Sequence, residues 1–250
     1  FWIADINLHE KAVELRRGSQ YERAAELLAG WLEVDPSDDP TAFMLAEVYL
    51  ALDSQQKAVE VWLELLERQP PQEHRYRQVA TRCRQARLED TAINVLLDGR
   101  RHIGSEHLFA RELGELYLAK GRYDEAVHNF IGCIAADDCE YGELESSVRS
   151  HVTGAAAGAT PSPGAQALLE SLEKAATVST WRRHIVDIAS LIAALGLEIG
   201  NPERGLESLS AVAAHPESDR SLFQYATRCE AGSYHAAAAA AIQRGNRCAA

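Results

Sequence analysis

The sequence has no CxxC pair, no long apolar run and hardly any stretch where β-branched residues alternate with polar ones. Each gap removes a class of protein. The five cysteines (Cys83, Cys133, Cys139, Cys229 and Cys248) are odd in number and widely spaced, so neither a disulfide framework nor a zinc site is expected. Unpaired thiols fit a reducing, cytoplasmic setting, with a bacterial envelope or periplasmic one left open. A membrane-spanning helix needs roughly 18 to 20 consecutive apolar residues, and no run approaches that length. Strands need period-two alternation, so a sheet is not expected. No G-x-S-x-G, P-loop or H-E-x-x-H motif occurs, and we expect no catalytic site, no cofactor and no metal. Positive charge is also short: 25 Lys and Arg face 37 Asp and Glu, giving a formal net charge of −12. A general nucleic-acid binder is not expected, because phosphates would be repelled overall. The chain opens on Phe1 rather than Met, which we read as processing, trimming or a fragment, so a missing targeting segment carries no message.

What is present is an ordinary soluble composition, 46% hydrophobic and 25% charged, long enough for a sizeable core. Ala and Arg are plentiful and Lys scarce, a usage that fits a bacterial gene. The clearest stretch runs from His107 to Glu140. Apolar residues at 109, 113, 116 and 117 lie on one face of a helix. Lys120-Gly121 then breaks the pattern, with Gly able to take the positive φ of a helix exit. Apolar residues at 126, 127, 130, 131 and 134 begin a second amphipathic helix. Small Gly114 and Ala126 let the two backbones approach, and Tyr117, Tyr123 and Phe130 fill the gaps. Neither helix buries its whole apolar face against the other, so the pair needs stacked neighbours.

The same pattern returns every 34 residues, with unit starts at Asp5, Asp39, Glu73 and His107. Alanine recurs at Ala24, Ala58, Ala92 and Ala126, and a large residue follows at Leu28, Trp62, Leu96 and Phe130. Pro36 and Pro70 close the first two units at the same place. Tyr49 answers to Tyr117, while Cys83 and Leu15 hold that place in units three and one. Cys83 and Cys133 are therefore read as small buried hydrophobes. The order Leu113-Gly114-x2-Tyr117…Ala126-x3-Phe130 resembles the tetratricopeptide (TPR) repeat, and the chain is identified as similar to that family. The resemblance implies an all-α fold: a right-handed superhelix of antiparallel helix pairs.

Residues 1–140 divide into four regular units (5–38, 39–72, 73–106 and 107–140), and 141–250 into about three degenerate ones. Tyr141–Val152 reads as a first helix, residues 153–164 as a Gly/Pro/Ala-rich insertion loop, and Ala165–Thr177 as the second helix. Trp181–Ile199 is amphipathic, Gly200-Asn201-Pro202 a turn, and Gly205, Leu209 and Val212 mark a sixth unit ended by Pro216. Ser221–Gly232 and Tyr234–Arg244 make a seventh, whose run Ala236–Ala241 favours helix but offers little area to bury. That end is expected to be weakly packed unless something covers it. Phe1, Trp2 and Ile3 put apolar bulk at the other end, where solenoids usually carry a polar cap.

In the family the first helices line a concave groove, and the resemblance places Phe43, Leu50, His74, Arg77, Arg84, Leu108, Arg111 and Leu118 there. Five Arg and no carboxylate occur between His74 and Arg87, and Arg77 and Arg84, seven apart, share a helix face. Arginine suits bidentate pairing with carboxylates, so an acidic or C-terminal peptide is one expected ligand. A solvated face balanced by Glu47, Glu112 and Glu115 is the plainer alternative. The carboxylate clamp of chaperone-binding TPR domains (Lys, Asn, Asn, Lys, Arg) is not matched: its places hold His9, Val13, Met44, His74 and Gln78, or in the next window Phe43, Glu47, Gln78, Leu108 and Glu112. Trp31 and Trp62 fall on packing places. His102 and His107 lack a third metal ligand, His184 and Asp187 read as a surface pair at i,i+3, and Asp137-Asp138 with Glu140 as an acidic inter-unit loop. The expected role is a non-catalytic scaffold holding a protein or peptide. The alternatives are a structural subunit of a larger assembly or homo-oligomer, or the TPR region of a longer enzyme or regulator.

Overall fold

A computed structural model describes residues 2–68, 70–136, 141–153, 164–177, 184–212, 218–231 and 234–248. It is all-α: among the described residues there are fourteen α-helices and no strand. The first six are α1 (Trp2–Arg17), α2 (Tyr21–Val34), α3 (Asp39–Ala51), α4 (Gln55–Arg68), α5 (Glu73–Gln85) and α6 (Glu89–Ile103). Then come α7 (Ala110–Ala119), α8 (Tyr123–Ala135), α9 (Tyr141–Thr153) and α10 (Ala165–Ala176). The last four are α11 (Ile185–Glu198), α12 (Pro202–Ala211), α13 (Ser218–Ala231) and α14 (His235–Cys248). The chain forms two compact units, Phe1–Leu108 and Phe109–Ala250.

The 34-residue step is visible in the backbone itself. Ser19 (φ 56°), Asp53 (φ 56°), Arg87 (φ 60°) and Gly121 (φ 71°) are left-handed, one per step, each just past a first helix. The residue after each donates its N–H five residues back: Gln20 to Leu15 at 2.8 Å, Ser54 to Tyr49 at 2.9 Å, Leu88 to Cys83 at 2.8 Å and Arg122 to Tyr117 at 2.9 Å. This 6→1 bond closes a helix through a left-handed residue and satisfies an orphan carbonyl. Only the fourth turn uses glycine, so the other three hold the same geometry against a steric cost.

Side chains follow the same step. Ala24, Ala58, Ala92 and Ala126 are each 0% exposed, and Leu28, Trp62, Leu96 and Phe130 are at most 1% exposed. A further series, Ala12, Ala46, Ala80 and Gly114, is buried on the facing first helices. A Cβ built on Gly114 would overlap the Phe130 ring, so in the fourth hairpin the ring occupies the space a methyl would take. Asp38 starts α3: its carboxylate accepts from Thr41 N at 3.3 Å and Thr41 Oγ1 at 2.6 Å, and from Trp31 Nε1 of α2 at 3.0 Å. Trp31 is thus half-buried and tied to a cap, while Trp62 is 1% exposed.

In the second unit α7 pairs with α8, α11 with α12 and α13 with α14. The helices α9 and α10 share no substantial contact among the described residues; α9 packs on α11 and α7, and α10 on α8 and α11. The expected insertion loop lies mostly outside the described residues, as do Asp137, Asp138, Glu140, Pro216 and the first residues of the expected Trp181–Ile199 helix; of that loop, Thr153 ends α9 and Gly164 is a turn. The alanine-rich end is not loosely packed: Ala237, Ala238 and Ala241 are buried with Leu222, Tyr225, Ala226 and Cys229. Small side chains bury little area but let α14 lie close against α13, and the close approach does the packing.

Cys133 is buried, as expected, and it is disulfide-bonded. A single bridge is not the disulfide framework that the odd count and wide spacings argue against, and it needs only proximity in space. Cys83 and Cys229 are free and buried.

Candidate functional site

Helix α5 concentrates the cations, and the fold sorts them. Tyr76, Val79, Ala80 and Cys83 face the core. Burial pushes the Cys83 thiol up to about 12, which leaves it protonated and unreactive near neutral pH. Arg75, its side chain 13% exposed, meets Asp39 at 2.7 Å. Arg82 bonds Glu47 and stacks 4.4 Å from the Phe43 ring centroid. Glu47 also takes Arg16 at 3.2 Å, so one carboxylate ties together α1, α3 and α5. These arginines are structural. His74, Arg77 and Arg84 are instead exposed, and Arg77 pairs with Glu73, one turn away, at 2.7 Å.

The other expected groove residues are placed differently. Phe43 is 6% exposed beneath Arg82, and Leu50 is half-buried. Leu108 is half-buried, and its carbonyl accepts from Arg100 Nε at 2.5 Å. Arg111 and Leu118 belong to the second unit. There Arg111 is exposed and meets Glu115 at 3.4 Å, while Leu118 is 3% exposed. Of the four apolar members anticipated as open contacts, Phe43 and Leu118 are core and Leu50 and Leu108 half-buried, while His74, Arg77, Arg84 and Arg111 are exposed.

The second unit holds a polar cluster that sequence reasoning missed. Glu145 of α9, with its side chain 10% exposed, lies 2.6 Å from Arg228 of α13. Arg149, one turn further along α9, reaches Glu198 of α11 at 2.6 Å and Glu145 at 3.9 Å. Ser190 of α11 donates to Ser221 of α13 at 3.1 Å. Burial, reinforced by the Glu145 charge, pushes the Tyr141 phenol well above its usual range. For Arg228, burial pulls the pKa down, but the bond and charge of Glu145 together with the Tyr141 and Glu198 charges outweigh it, and the guanidinium stays charged. The i,i+4 pair Glu145–Arg149 was readable in the sequence; its partners lie where the 34-residue period lapses. The cluster is a charge-balanced tie between three helices, and no histidine lies within its small cavity.

Elsewhere His184 Nδ1 lies 3.8 Å from Asp187. His102 faces the Tyr76 hydroxyl at 2.9 Å. Among the described residues no group of three or more His, Cys, Asp or Glu is arranged to hold a metal ion. Among the described residues no helix is long and apolar enough to cross a membrane.

Together these features define a TPR-like helical repeat fold with an exposed cationic helix face. No protein-family model matches the chain, and no curated protein matches it. Among solved structures it is similar to one described as Naa15/Naa10 bound to HypK-THB, at 14% identity and a TM-score of 0.34. The similarity covers 92% of this chain and 41% of that one, so the chain spans less than half its length.

Proposed function

We propose that this chain is a non-catalytic scaffold that holds a partner protein or peptide, and that an acidic or carboxylate-bearing segment docks on the open face of α5. The observation that carries this reading is the division of α5, with an apolar face in the core and His74, Arg77 and Arg84 exposed on the other. Arginine forks match carboxylates in geometry as well as charge. The existing Arg77–Glu73 pair is no obstacle. Both side chains are close to half exposed, 45% and 48%, and an exposed i,i+4 pair is worth only about 0.3–0.5 kcal/mol. A ligand carboxylate readily replaces it.

The test is capture from the native source, with mass spectrometry of what is retained, followed by an Arg77→Glu/Arg84→Glu variant. Affinity for the captured partner should fall by about tenfold or more, in line with loss of charge-assisted contacts. Unchanged affinity removes α5 from the binding surface. Arg75→Ala and Arg82→Ala serve as contrasts, because they should lower stability through Asp39 and Glu47. A concentration-dependent mass measurement separates this reading from a homo-oligomeric subunit.

A further inference from the structure

The second helices of the first unit leave an apolar cleft uncovered. In the second unit the corresponding helices close on one another, α8 on α10 and α12 on α14. Helices α2 and α4 share no substantial contact among the described residues. A cleft remains between them, with Ala29 and Leu32 of α2 on one wall, Val61 and Leu65 of α4 on the other, and Ala42 and Leu45 of α3 at its base. Ala29, Leu32 and Val61 are only half-buried. The next such cleft, between α4 and α6, is also apolar through Val59, Leu63, Val95 and Leu97, but its charged lining is Arg100 and Arg101 against Asp98, the opposite balance.

The charge around the first cleft has one dominant sign. Glu33 and Glu64 stand on its rim, with Arg68 2.8 Å from Glu64. Over their whole length α2 and α4 carry six exposed carboxylates (Glu22, Glu26, Glu33, Glu60, Glu64 and Glu67) against three cations (Arg23, Lys57 and Arg68). An apolar trough between two helices accepts the apolar stripe of a third, with anchors at i, i+3 or i+4, and i+7. Acidic rims select basic flanks on that helix. A second copy of this chain, at −12, would bring predominantly the wrong sign.

We propose that the α2–α4 cleft docks an amphipathic helix of a partner protein, apolar on the buried face and flanked by Lys or Arg. This site is separate from the α5 face and selects the opposite charge. The test uses two short synthetic stapled helices with one Leu stripe, one flanked by Lys and the other by Glu, titrated against the full chain by fluorescence anisotropy. Ala29→Trp fills the cleft from a half-exposed position, and Glu33→Lys/Glu64→Lys reverses its rim. The Lys-flanked helix should bind the native chain, and at least about tenfold more weakly to either variant. The Glu-flanked helix should not bind, and Arg77→Glu should change nothing. The proposal is overturned if neither helix binds, if both bind alike, or if Ala29→Trp binds the Lys-flanked helix as the native chain does. It is also overturned if sedimentation shows a dimer of this chain that Ala29→Trp abolishes, for the occupant is then a second copy. Should Ala29→Trp fail to fold, the rim reversal, confined to exposed side chains, decides alone.

Discussion

A methyl group on Gly114 has nowhere to go, because the Phe130 ring already fills its place. The three preceding first helices carry alanine there (Ala12, Ala46 and Ala80), so the fourth hairpin has traded a methyl for a ring. Gly114→Ala should therefore destabilise the chain by about 1–3 kcal/mol through overpacking, although alanine is the better helix former. Adding Phe130→Leu should make the pair cost less than the sum of the two single changes, read as a coupling energy from denaturant midpoints. A second residue-scale effect concerns pH. Burial holds His151 below its ordinary 6.5, in an edge contact with Tyr123 whose ring centroids are 6.2 Å apart. The unfolded chain then takes up this proton more readily than the folded one. The stability owed to the neutral ring is full above about pH 6.5 and is lost as pH falls below it toward the lower folded value. His151→Gln should flatten that part of the slope when denaturant midpoints are compared at about pH 7.5 and 5.5, and an unchanged slope would show that His151 carries none of it.

At the scale of the helix pair, the left-handed turn is the joint that every regular hairpin shares. Gly121 was readable as such from the sequence because glycine advertises the conformation. Asp53 adopts it too, as aspartate does more readily than most residues, but for Ser19 and Arg87 only the 34-residue spacing from Gly121 announces it. The cost of a non-glycine residue in this region is about 1–2 kcal/mol, partly offset by the extra freedom glycine has when unfolded. Arg87 is exposed, with φ 60° and its backbone bonded to Arg84, so its side chain contributes little to the turn. Arg87→Gly should raise stability by about 0.5–1 kcal/mol, and Gly121→Ala should lower it by a similar amount. Thermal or urea melts check both signs. If Arg87→Gly destabilises instead, the arginine side chain contributes more to the joint than the strain removes.

For the whole chain, the sequence reported most faithfully what repeats. The buried series at Ala24 and Leu28 and their successors could be read from spacing alone, because the step forces equivalent residues into equivalent packing. Features that bridge helices without repeating escaped it, such as Glu145 meeting Arg228, and Arg82 covering Phe43. Phe43 and Leu118 were expected in an open groove, yet the packing of their own unit buries each of them. The same logic of neighbours bears on how the molecule comes apart. In stacked hairpins stability is roughly a sum of hairpin and nearest-neighbour terms, so damage stays near its origin. Gly114→Ala strains α7 against α8, and the helices packed on those two are α9 and α10. Amide hydrogen exchange in the variant should therefore quicken across α7 to α10. Around the first core, where Ala12, Ala24, Leu28, Leu45 and Val48 meet, exchange should keep its native rate. Peptide-level mass spectrometry resolves the two regions. A uniform rise along the chain would mean that it unfolds as one cooperative block, and that the energies assigned hairpin by hairpin do not apply to it.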